Sequence, residues 1–299
     1  MKRPRWSIIV GTSLAAPALV GGYYAGKTLR ATQPLTVTFL NVGQGDATVI
    51  EAPSGRTILV DAGRADEHTS RGRTVALPYL RHKGINALEA LVITHWDQDH
   101  AGGADSVLGG VAVPTVLIPR IGNRQEPASL TEKQTLEAAR RMRLRIISLS
   151  RGQSIRMDNG LRIDVLNPPL RARRFRTSPD NNGSIVLMVR YGRRRILLMA
   201  DAEAEAEAIM LRDGVNPRAD VLKVGHHGSR SSTSRRWLDV VRPSAAVISV
   251  GRRNAFGHPS PTVLRNLYQR KIRVYRTDRD GTIVLTTDGN SLRMRTNVR

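Results

Sequence analysis

A chain of 299 residues can bury one sizeable core, and the lack of any cysteine excludes both a disulfide frame and a thiolate metal site, so any metal must be held by nitrogen and oxygen. The formal net charge is +22, and only six of the 47 basic residues are lysine (positions 2, 27, 83, 133, 223 and 271); the rest are arginine. Arginine forks suit phosphate oxygens, so composition points either to a polyanionic partner or to a solvated basic surface with no partner at all.

The first thirty residues stand apart. Met1 to Arg5 is basic, Trp6 to Gly26 carries no charge, and Lys27 restores it. This order is that of a signal peptide or a signal anchor, and the uncharged stretch is long enough to span a bilayer. The basic start should stay in the cytoplasm and send the rest outward, so an exported protein is expected, periplasmic or extracellular, with residues 6–26 as a membrane anchor if they are not removed. Residues 31–299 then form one folded domain. Three short strands are expected at Leu35 to Asn41, Ala47 to Ala52 and Arg56 to Val60, turned by Val42-Gly43-Gln44-Gly45-Asp46 and Pro53-Ser54-Gly55. A helix over Arg73 to Lys83 should end at Gly84, before the apolar run Leu88 to Ile93. A strand follows at Thr115 to Pro119. Ser129 or Thr131 can cap a helix to Met142, and Glu132 gives the Ser129 choice a capping box. Strands near 145–149, 154–157, 161–166, 184–190 and 194–199 make a second β-rich half. Helices and strands then alternate over roughly 203–212, 219–224, 233–240, 244–250, 260–269, 272–276, 282–287 and 291–295. Two β-rich halves, each finished by helices, fit an α/β four-layer αββα sandwich.

Within the second half, Asn167 to Asn182 reads as the longest stretch without regular structure after the leader. It carries Arg171, Arg173, Arg174 and Arg176, either a phosphate-gripping rim or a solvated basic loop. Aromatic residues make up only 4% of the chain, so a nucleic-acid partner would be gripped by its backbone and its sequence read little.

The stretch Thr94-His95-Trp96-Asp97-Gln98-Asp99-His100 concentrates the chemistry. It follows an apolar strand directly, and four of its seven residues can ligate a metal. At a strand end, residues 95, 97 and 99 can turn inward together while His100 enters from the other side, the convergence a divalent cation needs. The plainer reading is a polar turn that caps the helix opened by Ala101-Gly102-Gly103. Two His and two Asp in this order favour the metal.

This order resembles the HxHxDH signature of the metallo-β-lactamase superfamily, with Asp97 in place of the second histidine, the variant found in the hydrolase domain of ComEC-type competence proteins. Further stretches are similar to that family's motifs in the same sequence: Phe39 to Ala47, Ile58 to Gly63, Asn181 to Leu187, Leu197 to Glu203, Val221 to Ser229 and Asn254 to Ser260. The resemblance implies the metallo-β-lactamase fold and a site for two divalent ions. His95 and Asp97 would serve one metal, Asp99 and His100 the other, and Asp201 would bridge them. One of His226 and His227 completes the set; His227 is preferred as ligand, with His226 near phosphate or the leaving oxygen, though the roles can be exchanged. The catalytic residues expected are thus Asp99, Asp201 and His226.

Two departures matter. No histidine lies between His100 and His226, so the family's additional ligand before the bridging Asp is missing, and Asn181, Asn182 or Ser184 stands in that region. With Asp97, this makes the site oxygen-rich, which leans toward Mn²⁺ with Zn²⁺ as runner-up. Asp61 is expected to orient His95 or His100, or else to be a strand-end turn residue. Ser229 and His258 are candidate substrate or supporting residues, His258 being equally readable as a loop residue. Ala202 to Glu207 is taken as a solvated helix face, and His68 and His82 as surface residues. The expected function is an exported metal-dependent phosphodiesterase, a nuclease acting on the DNA backbone. The alternatives are a phosphoesterase for envelope polymers or small phosphodiesters, and a DNA-binding module with a weakened metal site.

Overall fold

The computed structural model describes residues 33–120, 129–158, 160–170 and 175–297. The expected leader 1–30 and the arginines at 171, 173 and 174 lie outside these residues. Among the described residues, no helix is long and apolar enough to cross a membrane.

The strands, in chain order, are β1 (Leu35–Phe39), β2 (Thr48–Glu51), β3 (Thr57–Val60), β4 (Ala90–Val92), β5 (Thr115–Pro119), β6 (Arg145–Leu149), β7 (Ser154–Asp158), β8 (Leu161–Asn167), β9 (Val186–Tyr191), β10 (Arg194–Leu198), β11 (Val221–Lys223), β12 (Ala245–Ile248), β13 (Arg273–Arg276), β14 (Ile283–Thr287) and β15 (Leu292–Thr296). One sheet has the order β15-β14-β1-β2-β3-β4-β5-β6, the other β13-β12-β11-β10-β9-β8-β7. Each begins as antiparallel hairpins and continues as a parallel run, β3 to β6 in the first and β10 to β13 in the second. The helices are α1 (Leu77–His82), α2 (Gln98–Ala101), α3 (Ala104–Gly110), α4 (Leu130–Arg141), α5 (Pro179–Asn182), α6 (Ala204–Arg212), α7 (Arg235–Val241), α8 (Pro261–Gln269) and α9 (Thr277–Asp280).

Alternation along the strands assigns the layers. In β1 and β3, Val37, Phe39, Ile58 and Val60 pack into the same buried cluster as Ile163, Leu187, Val189 and Leu198 of the other sheet. Leu59, between Ile58 and Val60, and Val49 of β2 turn the other way, onto Val107 and Leu108 of α3 and Leu136 of α4. In the second sheet Val186, Met188 and Leu197 likewise turn outward onto Met210 of α6, Trp237 of α7 and Leu267 of α8. A period of two therefore divides each strand between a core shared by the sheets and a core under helices. The result is the four-layer αββα sandwich.

Helix starts follow the side chains that can satisfy their free amides. Ser129 accepts the Glu132 amide at 3.1 Å, Ser234 the Trp237 amide at 3.2 Å, and Ser260 the Thr262 amide at 3.2 Å. Where the sequence predicts one helix over 73–83, a wider π turn at Gly72–Ala76 leads into α1. Pro78 cannot donate to the carbonyl four residues back, so the α pattern cannot run through it unbroken. The expected irregular stretch 167–182 contains α5, a helix too short to leave a periodic trace.

Candidate metal centre

The parallel strands deliver the polar residues from their carboxyl ends. Asp61 follows β3, Thr94 to His100 follow β4, Asp201 follows β10, Gly225 to Gly228 follow β11, and Ser249 follows β12. Asp61 is buried and takes three hydrogen bonds. Its Oδ1 accepts the Thr94 amide at 2.8 Å; its Oδ2 accepts the Thr94 hydroxyl at 2.7 Å and lies 2.8 Å from His100 Nδ1. A carboxylate can only accept here, so His100 Nδ1 carries the proton and Nε2 presents its lone pair forward. The same logic fixes His227: its Nδ1 lies 2.9 Å from the Ser249 carbonyl, which can only accept.

The two forward nitrogens meet. His100 Nε2 and His227 Nε2 are 3.3 Å apart, with Asp201 Oδ1 at 3.1 Å from the first and Asp99 Oδ2 at 3.1 Å from the second. His95 Nε2 lies 4.0 Å from Asp201 Oδ2 and 3.5 Å from Asp97 Oδ2, and this buried nitrogen has no hydrogen-bond partner. Asp201 thus stands between two sets, His95 with Asp97 on one side and Asp99, His100 and His227 on the other. Asp97 does not turn fully inward, its side chain being 49% exposed at the mouth.

The electrostatics follow from this crowding. Burial works to raise the Asp201 carboxyl, but His227 and His100 outweigh it and hold it well below the usual carboxylate range. Asp99 is held low in the same way, against burial, by its hydrogen bond to His227 and the charge of His100. Burial alone would lower His100 and His227, yet Asp201 with Asp61 raises the first and Asp201 with Asp99 raises the second. Asp97 is lowered chiefly by its contact with His95. Buried carboxylates and imidazoles at these distances need positive charge among them, from protons or from a cation.

His226 and His227 both take left-handed backbone conformations, with φ of 45° and 52°. Gly225 before them must be glycine, because a Cβ there would sit 2.5 Å from the Ala202 carbonyl oxygen. The turn points the two rings apart. His227 is buried among the ligand candidates, while His226 is partly exposed, with Nε2 3.7 Å from Asp201 Oδ2 and Nδ1 2.8 Å from Glu203 Oε1. Ser231 donates to the same Glu203 oxygen at 2.8 Å and pairs with Ser229 at 2.8 Å, so Ser229 reaches His226 only through this chain.

The Asn/Ser segment divides. Asn182 uses its whole amide locally: Nδ2 donates to the Thr177 carbonyl at 2.7 Å, and Oδ1 accepts the Glu203 and Ala206 amides, each at 3.1 Å. It holds the start of α6 in place. Asn181 is partly exposed, and the buried Ser184 hydroxyl has no partner. His258 lies beside His226, ring centres 5.6 Å apart, with its buried Nδ1 unpartnered. Burial holds the His258 imidazole below its ordinary value. His68 and His82 are exposed.

The acidic run 202–207 is not a solvated face. Glu203 and Glu207 are buried, Glu203 holding His226 and Glu207 accepting the Thr233 and Ser234 amides at 2.6 and 3.0 Å. Glu205 accepts the Arg176 and Thr177 amides. Each acid answers donors distant in sequence, which an alternating Ala-Glu pattern does not reveal. Sequence reasoning also missed Asp46 and Lys223. Asp46 offers a ligand atom within 4.8 Å of those of His100, Asp201 and His227, making a four-residue buried cluster. Its Oδ2 is in contact with the buried Lys223 ammonium, which pulls the Asp46 carboxyl down although burial opposes it. Both lie inside stretches already singled out, but nothing local shows that they meet.

Comparison with known proteins agrees with this architecture. The sequence model of the metallo-β-lactamase superfamily matches residues 40–252. The chain is similar to the ComE operon protein 3 of Bacillus subtilis, 37% identical over 263 residues that cover 83% of this chain and 32% of that protein. It is similar to recombination protein 2 of Haemophilus influenzae, 35% identical over 247 residues, covering 83% of this chain and 28% of that protein. The chain therefore spans about a third of the length of these curated relatives. A solved metallo hydrolase from the archaeon Ignicoccus hospitalis aligns with a TM-score of 0.51 at 15% identity, covering 83% of this chain and 98% of that one, a likeness of fold alone.

Proposed function

We propose, because the chain belongs to the metallo-β-lactamase superfamily, that it is an exported metal-dependent phosphodiesterase that cleaves DNA. The observation that carries this reading is the pair of forward-facing imidazole nitrogens, 3.3 Å apart and flanked by Asp99 and Asp201. Their Nδ1 protons are fixed by Asp61 and by the Ser249 carbonyl, so both lone pairs point into one buried space. The orphaned His95 Nε2 supports a second position beside it. An all nitrogen and oxygen donor set of this kind fits divalent cations.

His95 and Asp97 would hold one metal, Asp99, His100 and His227 the other, with Asp201 facing both. The oxygen-rich set favours Mn²⁺ over Zn²⁺. Divalent metals, when bound, supply Lewis acidity that neutralises developing charge on phosphate and makes water acidic enough to react at neutral pH. The protein's own part is to orient and to move a proton. Glu203 accepts from His226 Nδ1 and so orients the ring with the partly exposed Nε2 facing the mouth; in the doubly protonated imidazolium, Nε2 carries the second proton and passes it to the leaving oxygen, returning the ring to its neutral form. The net charge of +22 and the relative named for recombination support a DNA substrate gripped through its phosphates. Export is supported by the basic start and the uncharged stretch that follows it.

The test is hydrolysis of DNA, RNA and bis-p-nitrophenyl phosphate side by side, with Mn²⁺, with Zn²⁺ and with chelator. DNA cleavage dependent on Mn²⁺ and abolished by chelation is expected. Rapid turnover of the small ester with no cleavage of either polynucleotide would instead favour an enzyme of small or envelope phosphodiesters.

A further inference from the structure

The loop Gly251–Pro259 contributes no candidate metal ligand, yet it is tied down tightly beside the site. Asn254 makes four hydrogen bonds within it: Nδ2 donates to the Gly251 and His258 carbonyls at 2.9 and 2.7 Å, and Oδ1 accepts the Phe256 and His258 amides at 3.2 and 2.9 Å. One end is anchored by the Gly251 amide on Gln44 Oε1 at 3.2 Å, the other by the Ser260 amide on the Gly228 carbonyl at 2.8 Å. This frame holds Phe256 out in solvent at 65% exposure, while the chain's two other phenylalanines, Phe39 and Phe175, are buried.

A single exposed apolar residue is ordinary. What sets Phe256 apart is its place in a row of rings. Its ring is stacked on His258 at 5.7 Å and 24°, His258 stands edge-on to His226 at 5.6 Å and 74°, and His226 Nε2 is 3.7 Å from Asp201. The row leads from the solvent to the carboxylate that faces both metal positions. Arg252 and Arg253 on the same loop are exposed, and neither guanidinium has a hydrogen-bond or ion-pair partner among the described residues.

We propose that Phe256, backed by His258, is the stacking platform for the base of the nucleotide next to the scissile phosphate, with Arg252 and Arg253 on the flanking phosphates. The proposal rests on the phosphodiesterase reading and names the feature of the substrate that it selects. Every base has a π-face, so a phenyl platform is tolerant of sequence. In a duplex that face is covered by neighbouring pairs, so the platform serves unpaired nucleotides. Phe256 is then a specificity-determining residue that favours single strands over duplex.

The experiment compares the full chain with Phe256→Ala and Phe256→Trp on three fluorescent DNAs: a single strand, the same strand with its bases replaced by abasic sites, and the duplex. Binding is read by anisotropy in chelator, where nothing is cleaved, and kcat/KM is read with Mn²⁺. Phe256→Ala should weaken binding of the single strand about tenfold, the worth of one base stack, with Phe256→Trp retaining it. On the abasic strand the wild type should already be about tenfold poorer, and the alanine change should add no further loss. Equal losses on the single, abasic and double strands, or no loss on the single strand, overturn the proposal. If the wild type cleaves none of the three DNAs, the phosphodiesterase reading fails, and the binding arm still decides whether Phe256 senses a base.

Discussion

Asp61 is 1% exposed and accepts from the Thr94 amide, the Thr94 hydroxyl and His100 Nδ1. Asp61→Ala strands these buried donors, and at about 1–3 kcal/mol for each unsatisfied group the fold should lose roughly 3 kcal/mol or more. Urea denaturation checks this, and metal content should fall with it because His100 is no longer aimed. Asp97 separates this chain from the HxHxDH pattern. Asp97→His should shift metal preference toward Zn²⁺ and lower Mn²⁺-dependent turnover, while Asp97→Ala should weaken binding of both. An unchanged Mn²⁺/Zn²⁺ ratio in the histidine variant would show that residue 97 does not set metal choice. Glu207 gives a pH signature of its own. Burial pushes its carboxyl up to about 7 from an ordinary 4.5. The folded protein therefore holds this proton more tightly than the unfolded chain, so the stabilisation it brings is complete below about pH 4.5 and lost as pH rises to about 7. The difference amounts to about 3 kcal/mol. Glu207→Gln, which keeps one acceptor oxygen for the Thr233 amide and gives up the one that faces Ser234, should lower stability somewhat at every pH but flatten its fall across that window. An identical pH slope in the two proteins would mean that Glu207 is not the group responsible. The six ligand candidates were legible because all of them sit in short motifs whose spacing is itself the signal. Asp46 with Lys223 was not, since the pair is 177 positions apart and each looks ordinary where it stands.

At the scale of elements, the site depends on a turn that brings the first hairpin against the metal loop. Gly45 has φ +131°, and a Cβ there would lie 2.1 Å from the Asp99 carbonyl oxygen, while the Asp46 amide donates to that same oxygen at 3.1 Å. Gly45→Ala should therefore push the Asp99 loop away, costing on the order of 2–4 kcal/mol through backbone strain and a lost contact. Thermal melting measures the cost, and metal affinity should fall more than melting temperature alone explains. Wild-type affinity in this variant would show that the turn does not position the loop. Strands were legible where residues alternate or run apolar between turn residues, as in β1 to β3 and β9 to β10. The first three strands were read one or two residues too long; β1 stops before Asn41, whose amide leaves the ladder to donate to the Thr282 hydroxyl at 3.2 Å. Helices α5 and α9 escaped because four residues cannot show a 3.6-residue period. The Ala-Glu run of α6 misled for a related reason: alternation looks solvated until distant amides arrive to bury it.

The whole molecule adds charge to this chemistry. With a net charge of +22, DNA binding should release counterions, so affinity should fall by about tenfold or more between roughly 50 and 200 mM salt. Arg252→Ala should make the log–log slope shallower by about one contact's worth. A slope that does not change would place Arg252 off the DNA path. The layered architecture was readable from the order of motifs and the two β-rich halves, whereas the pairing of sheet edges was not, because strand order depends on crossovers that leave no local mark. In the proposed enzyme, Asp99 and Asp201 help hold the two metals on which DNA cleavage depends. The decisive measurement is metal content and DNA cleavage of the wild type beside the double variant Asp99→Ala with Asp201→Ala. About two Mn²⁺ per chain and chelator-sensitive cleavage are expected in the wild type, with both lost in the variant while its fold persists. Cleavage by the double variant at the wild-type rate would contradict this role.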